Sequence, residues 1–199
     1  MKLSRRLHRT IGIVLILPMF GWAISGMVFF IKPGYQAAYA PLSVKKYPLQ
    51  QALQVSAGDW QQATLINTVL GSHLLVEQGG VTHHLDPTTL QARPEPSAPD
   101  IKRLINDAIS DQAERYGDIV SLDGQRATTT TGVSITLDWN NLRLSQYGRD
   151  TRIIDTIYRV HYLQWTPSST INQILGFTGL LLILGLSILG LKLFLHGRR

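Results

Sequence analysis

The sequence predicts an α+β membrane protein: two transmembrane helices flanking an extramembrane α/β domain with an antiparallel sheet. Three observations predict it. Residues Ile11 to Ile31, "IGIVLILPMFGWAISGMVFFI", run uncharged for 21 positions, about 31 Å as a helix and close to a hydrocarbon core. Residues Ile174 to Leu191 give a second run of 18, about 27 Å long. Between the runs, short strand-like segments alternate with amphipathic helical ones, the mark of a small mixed domain.

In chain order the expected parts are a basic N-terminus (1–10), a first span (11–32) and a central domain (33–149). An amphipathic interfacial helix (150–166), a second span (172–195) and a basic C-terminus (196–199) follow. The "AYA" at Ala38 to Ala40 mimics a signal-peptidase site. The first apolar run exceeds the ~7–15 residues of a signal core, and "KPGYQ" separates it from that site, so the segment reads as an uncleaved helix.

The formal net charge of +6 is concentrated at the membrane flanks. Lys2, Arg5, Arg6 and Arg9 precede the first span, Lys32 leaves it, and Lys192, Arg198 and Arg199 follow the second. Residues Gly34 to Ile171 carry eleven basic and thirteen acidic side chains. The basic balance therefore marks tails rather than a nucleic-acid surface. Cations at both ends predict both termini in the cytoplasm of a bacterial inner membrane, with the central domain in the periplasm. There is no cysteine, which excludes disulfides, C-x-x-C-H haem attachment, iron–sulfur clusters and thiol nucleophiles.

In the central domain, "YPLQQALQVSAGDW" reads as a short helix with Ala52, Leu53 and Val55 inward. "TLINTVL" and "HLLVEQGGVTHHLD" read as strands, the latter turning at Gly79-Gly80. "ARPEPSAP" is a loop, after which Asp100 is expected to cap a helix. Its apolar residues Ile101, Leu104, Ile105, Ala108 and Ile109 recur at helical spacing on one face. "DIVSLDG", "VSITLDW" and "LRLSQYG" follow as strands, the last two joined through Asn140-Asn141.

Four stretches resemble the PepSY-associated transmembrane family: "RRLHRTIGIVLILPMFGWAISG", "YPLQQAL", "VTHHLDPTTLQ", and "GRDTRIIDTIYRVHYLQW" before a Gly-rich span. Leu90 stands where the family's closing Thr-Gly pattern expects glycine, and the chain has two spans where many relatives have four. The resemblance is to a small two-span member with a PepSY-like central domain. It implies a membrane redox or iron-linked role, because some members are siderophore–iron reductases that bind b-type haem through histidines at helix ends.

The histidines are therefore the residues of interest. If both spans continue as helices, His8 and His196 project about 5 Å and 7 Å beyond the apolar runs in one leaflet. Such a pair suits either bis-His haem ligation or a headgroup-facing flank. His161 shares a helical face with Ile154, Ile157 and Tyr158. A straight helix would lift it about 20 Å above the second run. With a break at Pro167 the segment would instead lie flat at the interface, leaving His161 as ligand or as anchor. His83 and His84 alternate across a strand and cannot both face one metal. His73 reads as a surface or turn residue.

Inside the first span, Gly21 and Ser25 form a small-xxx-small step, and the mid-span Trp22 indole needs a partner. Gly176 and Gly179 offer close approach near the periplasmic end of the second, and Gly185 and Gly190 thin that helix. "SLDGQRATTTTG" faintly resembles a flavin-esterification site with a spacing one residue short, so its threonines read as strand and loop formers. No phosphate loop and no G-x-S-x-G is present.

These readings predict haem-b-based electron transfer or reduction linked to iron or siderophore uptake. The cofactor-binding candidates are His8, His161 and His196, and no catalytic residue is assigned. Expected partners are the bilayer, a second copy or another membrane protein, and a periplasmic acceptor or ferric siderophore, with no nucleic acid. The alternative is a non-enzymatic, membrane-anchored binding or accessory module of a larger complex.

Overall fold

A computed structural model describes residues 2–49 and 58–197. The chain divides into two compact units, residues 1–35 with 152–199, and residues 36–151. The first holds two long helices, α1 (Lys2–Ile31) and α6 (Ser169–Gly197), together with most of α5 (Arg149–His161). A four-residue turn of helix, α2 (Tyr35–Ala38), leads into the second unit.

The stretches Leu3–Ile31 and Ser169–His196 have mean hydropathies of 2.2 and 2.4 and are long enough to cross a membrane. Their side chains are apolar all round and largely uncovered: Ile13, Leu17, Phe20 and Phe30 on α1, Leu180 and Ile188 on α6. A helix of this kind suits lipid rather than water. α1 and α6 pack antiparallel at close-approach points. A methyl group built on Gly190 would lie 3.3 Å from His8 Cε1, one on Gly12 3.8 Å from Leu186, and one on Gly179 3.3 Å from the Trp22 ring. Hydrophobicity gives no drive between helices in lipid, so small residues of this sort decide where two backbones meet.

α5 ends at His161, and Leu163, at φ 54°, turns the chain away. The following link is tied to the first turn of α6 by Asn172. Its Oδ1 accepts from Thr166 N (3.0 Å) and Oγ1 (2.9 Å), and its Nδ2 donates to Thr166 O (2.8 Å). Pro167 lies in this link, outside both helices.

The second unit contains two antiparallel sheets. One has the order β1-β2-β3, formed by Gln62–Thr68, Gly71–Gln78 and Val81–Leu85. The other runs β4-β5-β6-β7, formed by Ile119–Asp123, Arg126–Thr129, Ser134–Asp138 and Arg143–Tyr147. Gly79 and Gly80 both have positive φ, as the two-residue turn between β2 and β3 requires. α3 (Ala98–Ile109) lays Ile101, Leu104, Ile105, Ala108 and Ile109 into the core, which also takes Ile135 and Leu137 from β6. A 3₁₀ turn (Ser110–Gln112) and the short α4 (Ala113–Tyr116) follow.

Two expectations are corrected here. The α3 cap is Ser97, not Asp100: Ser97 Oγ accepts from Asp100 N and donates to Asp100 Oδ2 at 2.6 Å. Pro99 is no obstacle in a first turn, where its missing N–H would be unpaired anyway. The second correction is β5, which is a fourth strand rather than loop. It returns against β4 with Asp123 opposite Arg126, around Gly124 at φ 53°. The helix expected around Ala52, Leu53 and Val55 lies outside the described residues, as do Arg198 and Arg199.

Candidate functional site

Within the helical unit, α1 presents Trp22, Ser25 and Phe29 at steps of three and four, and therefore on one face. The last turns of α5 lie against that face. Tyr158 packs on Phe29 (ring centroids 4.6 Å), and His161 meets the same ring edge-on at 4.9 Å. Val160 sits against Gly21. Between residues 158 and 161, α5 touches α1 from Phe29 back to Gly21 and Trp22. The end of α5 is held against α1 through Trp22, Ser25 and Phe29. Ser25 is six residues before Ile31, about 9 Å inside the apolar run.

Two polar contacts hold His161 there. Its backbone carbonyl, among the last of α5 and without an intrahelical donor, accepts from the Trp22 indole at 2.6 Å. Each group would otherwise be a polar atom without a partner in apolar surroundings. Its ring Nδ1 lies 2.8 Å from Ser25 Oγ. Ser25 has one hydroxyl proton, and the shorter of its two backbone contacts is to Gly21 O at 2.6 Å, the other being Trp22 O at 3.2 Å. With that proton directed to Gly21, Ser25 receives the Nδ1–H of His161. The neutral ring then keeps its Nε2 lone pair for another group. One nitrogen fixed and the other available is how ligating imidazoles are oriented. Tyr162 adds an edge-on ring 5.2 Å from His161 and stacks parallel to Tyr158.

The other two candidates lie elsewhere. His8 packs on Gly190, so the gap that glycine opens is filled by the His8 ring itself. Its Nδ1 is buried with no hydrogen-bond partner. Along α1 it is 17 residues from Ser25, about 26 Å. His196 lies six residues beyond Gly190, about 9 Å further along α6; it is exposed, with Nδ1 3.0 Å from Lys192 O on its own helix. One chain therefore brings no two of His8, His161 and His196 together.

In the central unit, His83 is exposed and His84 buried, on opposite faces of β3. His73 is not a surface or turn residue: it is fully buried. β2 turns it inward opposite β3, where His73 Nδ1 lies 2.9 Å from His84 Nε2. His73 Nε2 lies 2.8 Å from Thr68 Oγ1, and His84 Nδ1 2.8 Å from the carbonyl of Trp139. Both rings are held below the ordinary imidazole range. Burial drives His73 down to about 3, reinforced by the Arg93 guanidinium and by His84. His84 is lowered by burial against the opposing pull of the Trp139 carbonyl. Also in this unit, Arg115 Nη1 pairs with Asp150 Oδ2 at 2.6 Å and its Nε with Gln146 at 3.0 Å.

The family model for the PepSY-associated TM region matches residues 2–197. The chain belongs to that family. No curated protein and no solved structure matches it. This PepSY-associated chain is a membrane protein with two apolar helices at its ends and an α+β unit between them. Its sequence reading singled out His161 and Trp22 but not how they are joined. The signal is two hydrogen-bonding side chains, Trp22 and Ser25, on one face of an otherwise apolar stretch.

Proposed function

We propose that this protein is an inner-membrane electron-transfer component in which His161 serves as an axial ligand to b-type haem. The observation that carries the reading is the His161 ring itself: Nδ1 held by Ser25 at 2.8 Å, Nε2 left available, and Phe29, Tyr158 and Tyr162 around it. That arrangement fits one axial position. His8, with its unpartnered Nδ1 against Gly190, is the candidate at the other end of the span. At about 26 Å of separation the two rings could not hold the same haem, and a second histidine for either would have to come from another copy or a partner protein. Bound there, haem would supply reversible one-electron transfer. Ser25 fixes the ring orientation, Trp22 anchors the helix end that carries it, and Phe29 packs edge-on against it.

The flanking cations support cytoplasmic termini and a periplasmic central unit. The support for an iron-linked acceptor, such as a ferric siderophore, is the family resemblance. A second reading, a binding or accessory module, is favoured by a groove of about 470 Å³ in the central unit, lined among others by Val44, Lys46, Thr64, Glu77 and Arg143.

Reduced-minus-oxidised spectra of the full chain, expressed with ample haem and purified in mild detergent, test the proposal. A Soret shift and an α-band are expected, and His161→Ala should abolish or shift them. Absence of both bands in the wild type would leave the module reading. Bands that survive His161→Ala unchanged would overturn the ligand assignment.

A further inference from the structure

The hydrogen bonds around His73 and His84 fix the direction of every proton in the chain they form. The Trp139 carbonyl only accepts, so His84 donates from Nδ1. A neutral His84 then accepts at Nε2, so His73 donates to it from Nδ1. His73 accepts in turn at Nε2, so the Thr68 hydroxyl donates there, while Thr68 Oγ1 receives the Leu70 amide at 3.1 Å. Thr68, His73, His84 and the Trp139 carbonyl form a one-way relay from the β1–β2 turn, across β2 and β3, to the β6–β7 turn. With both rings neutral every link is satisfied and no charge is buried. The Trp139 ring packs on both imidazoles, at 5.5 and 4.4 Å between centroids.

This relay lies where the two sheets of the central unit meet. The principal hydrophobic core is built from α3, the strands β4–β7 and the 42–44 segment. The fully buried residues of β2, Leu74 and Val76, lie outside that cluster, and the smaller sheet reaches it through partly buried Ile66, Val69, Leu70 and Leu75. The smaller sheet thus depends more heavily on its polar seam.

We propose that the His73–His84 pair is a proton-binding switch: neutral, it fastens sheet β1–β3 to the β6–β7 turn, and on taking up one proton it lets that sheet loosen while α3 and β4–β7 stay folded. A proton on His84 Nε2 would set two N–H groups face to face across 2.9 Å unless the His73 proton moves to Nε2, which turns the Thr68 hydroxyl away. A proton on His73 Nε2 forces the Thr68 hydroxyl to turn toward Gly71 O, 3.5 Å away, and leaves a cation in a fully buried position. The surrounding charges oppose it. The Arg93 guanidinium donates to Ser72 O and to Leu70 O (2.9 Å), beside the same strand. Asp86, 3.9 Å from Arg93, is the compensating anion. Glu95, Asp100 and Arg103 line the crevice that Arg93 and Trp139 share, and on the β6–β7 turn Asp138 is engaged with Asn141 at 2.8 Å.

The sign follows from the lowered folded-state values of both rings. The contribution of neutral imidazoles is complete above the unfolded value of about 6.5. It falls as pH drops below that and keeps falling toward the folded value of about 3 for His73.

Hydrogen exchange of the full chain in mild detergent, read by mass spectrometry between pH 7.5 and 4 and corrected for intrinsic rates, tests the switch. Amides of β1–β3 should lose at least about tenfold protection on the acid side, with those of α3 and β6 holding. Glutamine offers one donor and one acceptor at each position without titrating, so the His73→Gln/His84→Gln double variant should abolish the acid step. Simultaneous loss in both sheets, or an unchanged acid step in the double variant, would overturn the proposal. Nitrogen NMR of the wild type at pH 7 stands independent of any variant's folding. Both rings should be Nδ1–H tautomers, and an Nε2–H signal from either would break the relay.

Discussion

The two units use histidine in opposite ways. In the central unit His73 and His84 have all four ring nitrogens engaged, between Thr68 and the Trp139 carbonyl. In the helical unit His161 has one nitrogen held by Ser25 and the other available. A buried imidazole with both nitrogens satisfied is a structural cross-link, whose removal strands its partners. An imidazole with one nitrogen held is oriented for something else. The number of occupied nitrogens, rather than burial or position near a membrane, separates the fastener from the candidate ligand.

The largest effect should come from breaking the fastener. His84→Ala would leave the His73 Nδ1–H buried without a partner and the Trp139 carbonyl with only the Leu142 amide at 3.3 Å, and would open a cavity against the Trp139 ring. A loss of about 2–4 kcal/mol is expected. Urea unfolding of the full chain in detergent, followed by tryptophan fluorescence, would show it as a lower midpoint. A midpoint within error of wild type would mean that the seam contributes nothing. Next in size is Trp22→Phe, which keeps the apolar bulk and removes only the indole donor. The His161 carbonyl then has no partner, a cost of about 1–3 kcal/mol. It should appear as faster amide exchange confined to residues 158–164. If the two regions are as different as their hydrogen bonds, Trp22→Phe leaves the central unit's acid response untouched, and His84→Ala leaves any haem bands in place.

Much of the frame was legible in the sequence because it rests on local signals. The apolar runs gave the two spans, helical spacing gave the inward face of α3, and Gly79-Gly80 gave a turn that requires positive φ. The α3 cap is harder to place because Asp100, itself a good capping residue, lies three residues after Ser97 and hydrogen-bonds it. β5 was missed because its threonines suit loop and strand equally. The sites were less legible because they join distant residues. Ser25 and His161 are 136 positions apart, and His73 meets His84 only through the register that sets Leu75 opposite His84 and Val76 opposite His83. His73 was misjudged since nothing local says which face of β2 turns inward. The Trp22 indole and Ser25 hydroxyl on one face of α1 carry a readable hint, but their spacing alone does not name α5 as the element that meets them.

The smallest effect is expected at His196, and it sharpens the contrast within the helical unit. Its ring is exposed, and Nδ1 bonds only to Lys192 O one turn back on α6. No side chain of α1 is fixed by it, and it stands about 9 Å past the level of His8. His196→Ala should change stability by no more than about 0.5 kcal/mol, the range of surface substitutions. His8→Ala, by contrast, empties the space against Gly190 and should destabilise the helix pair measurably. Comparing the thermal midpoints of the two variants in detergent checks this, and their visible spectra check it again. Haem bands lost in His196→Ala but kept in His8→Ala would show that the last turn of α6 comes nearer to a cofactor than the α1–α6 packing implies.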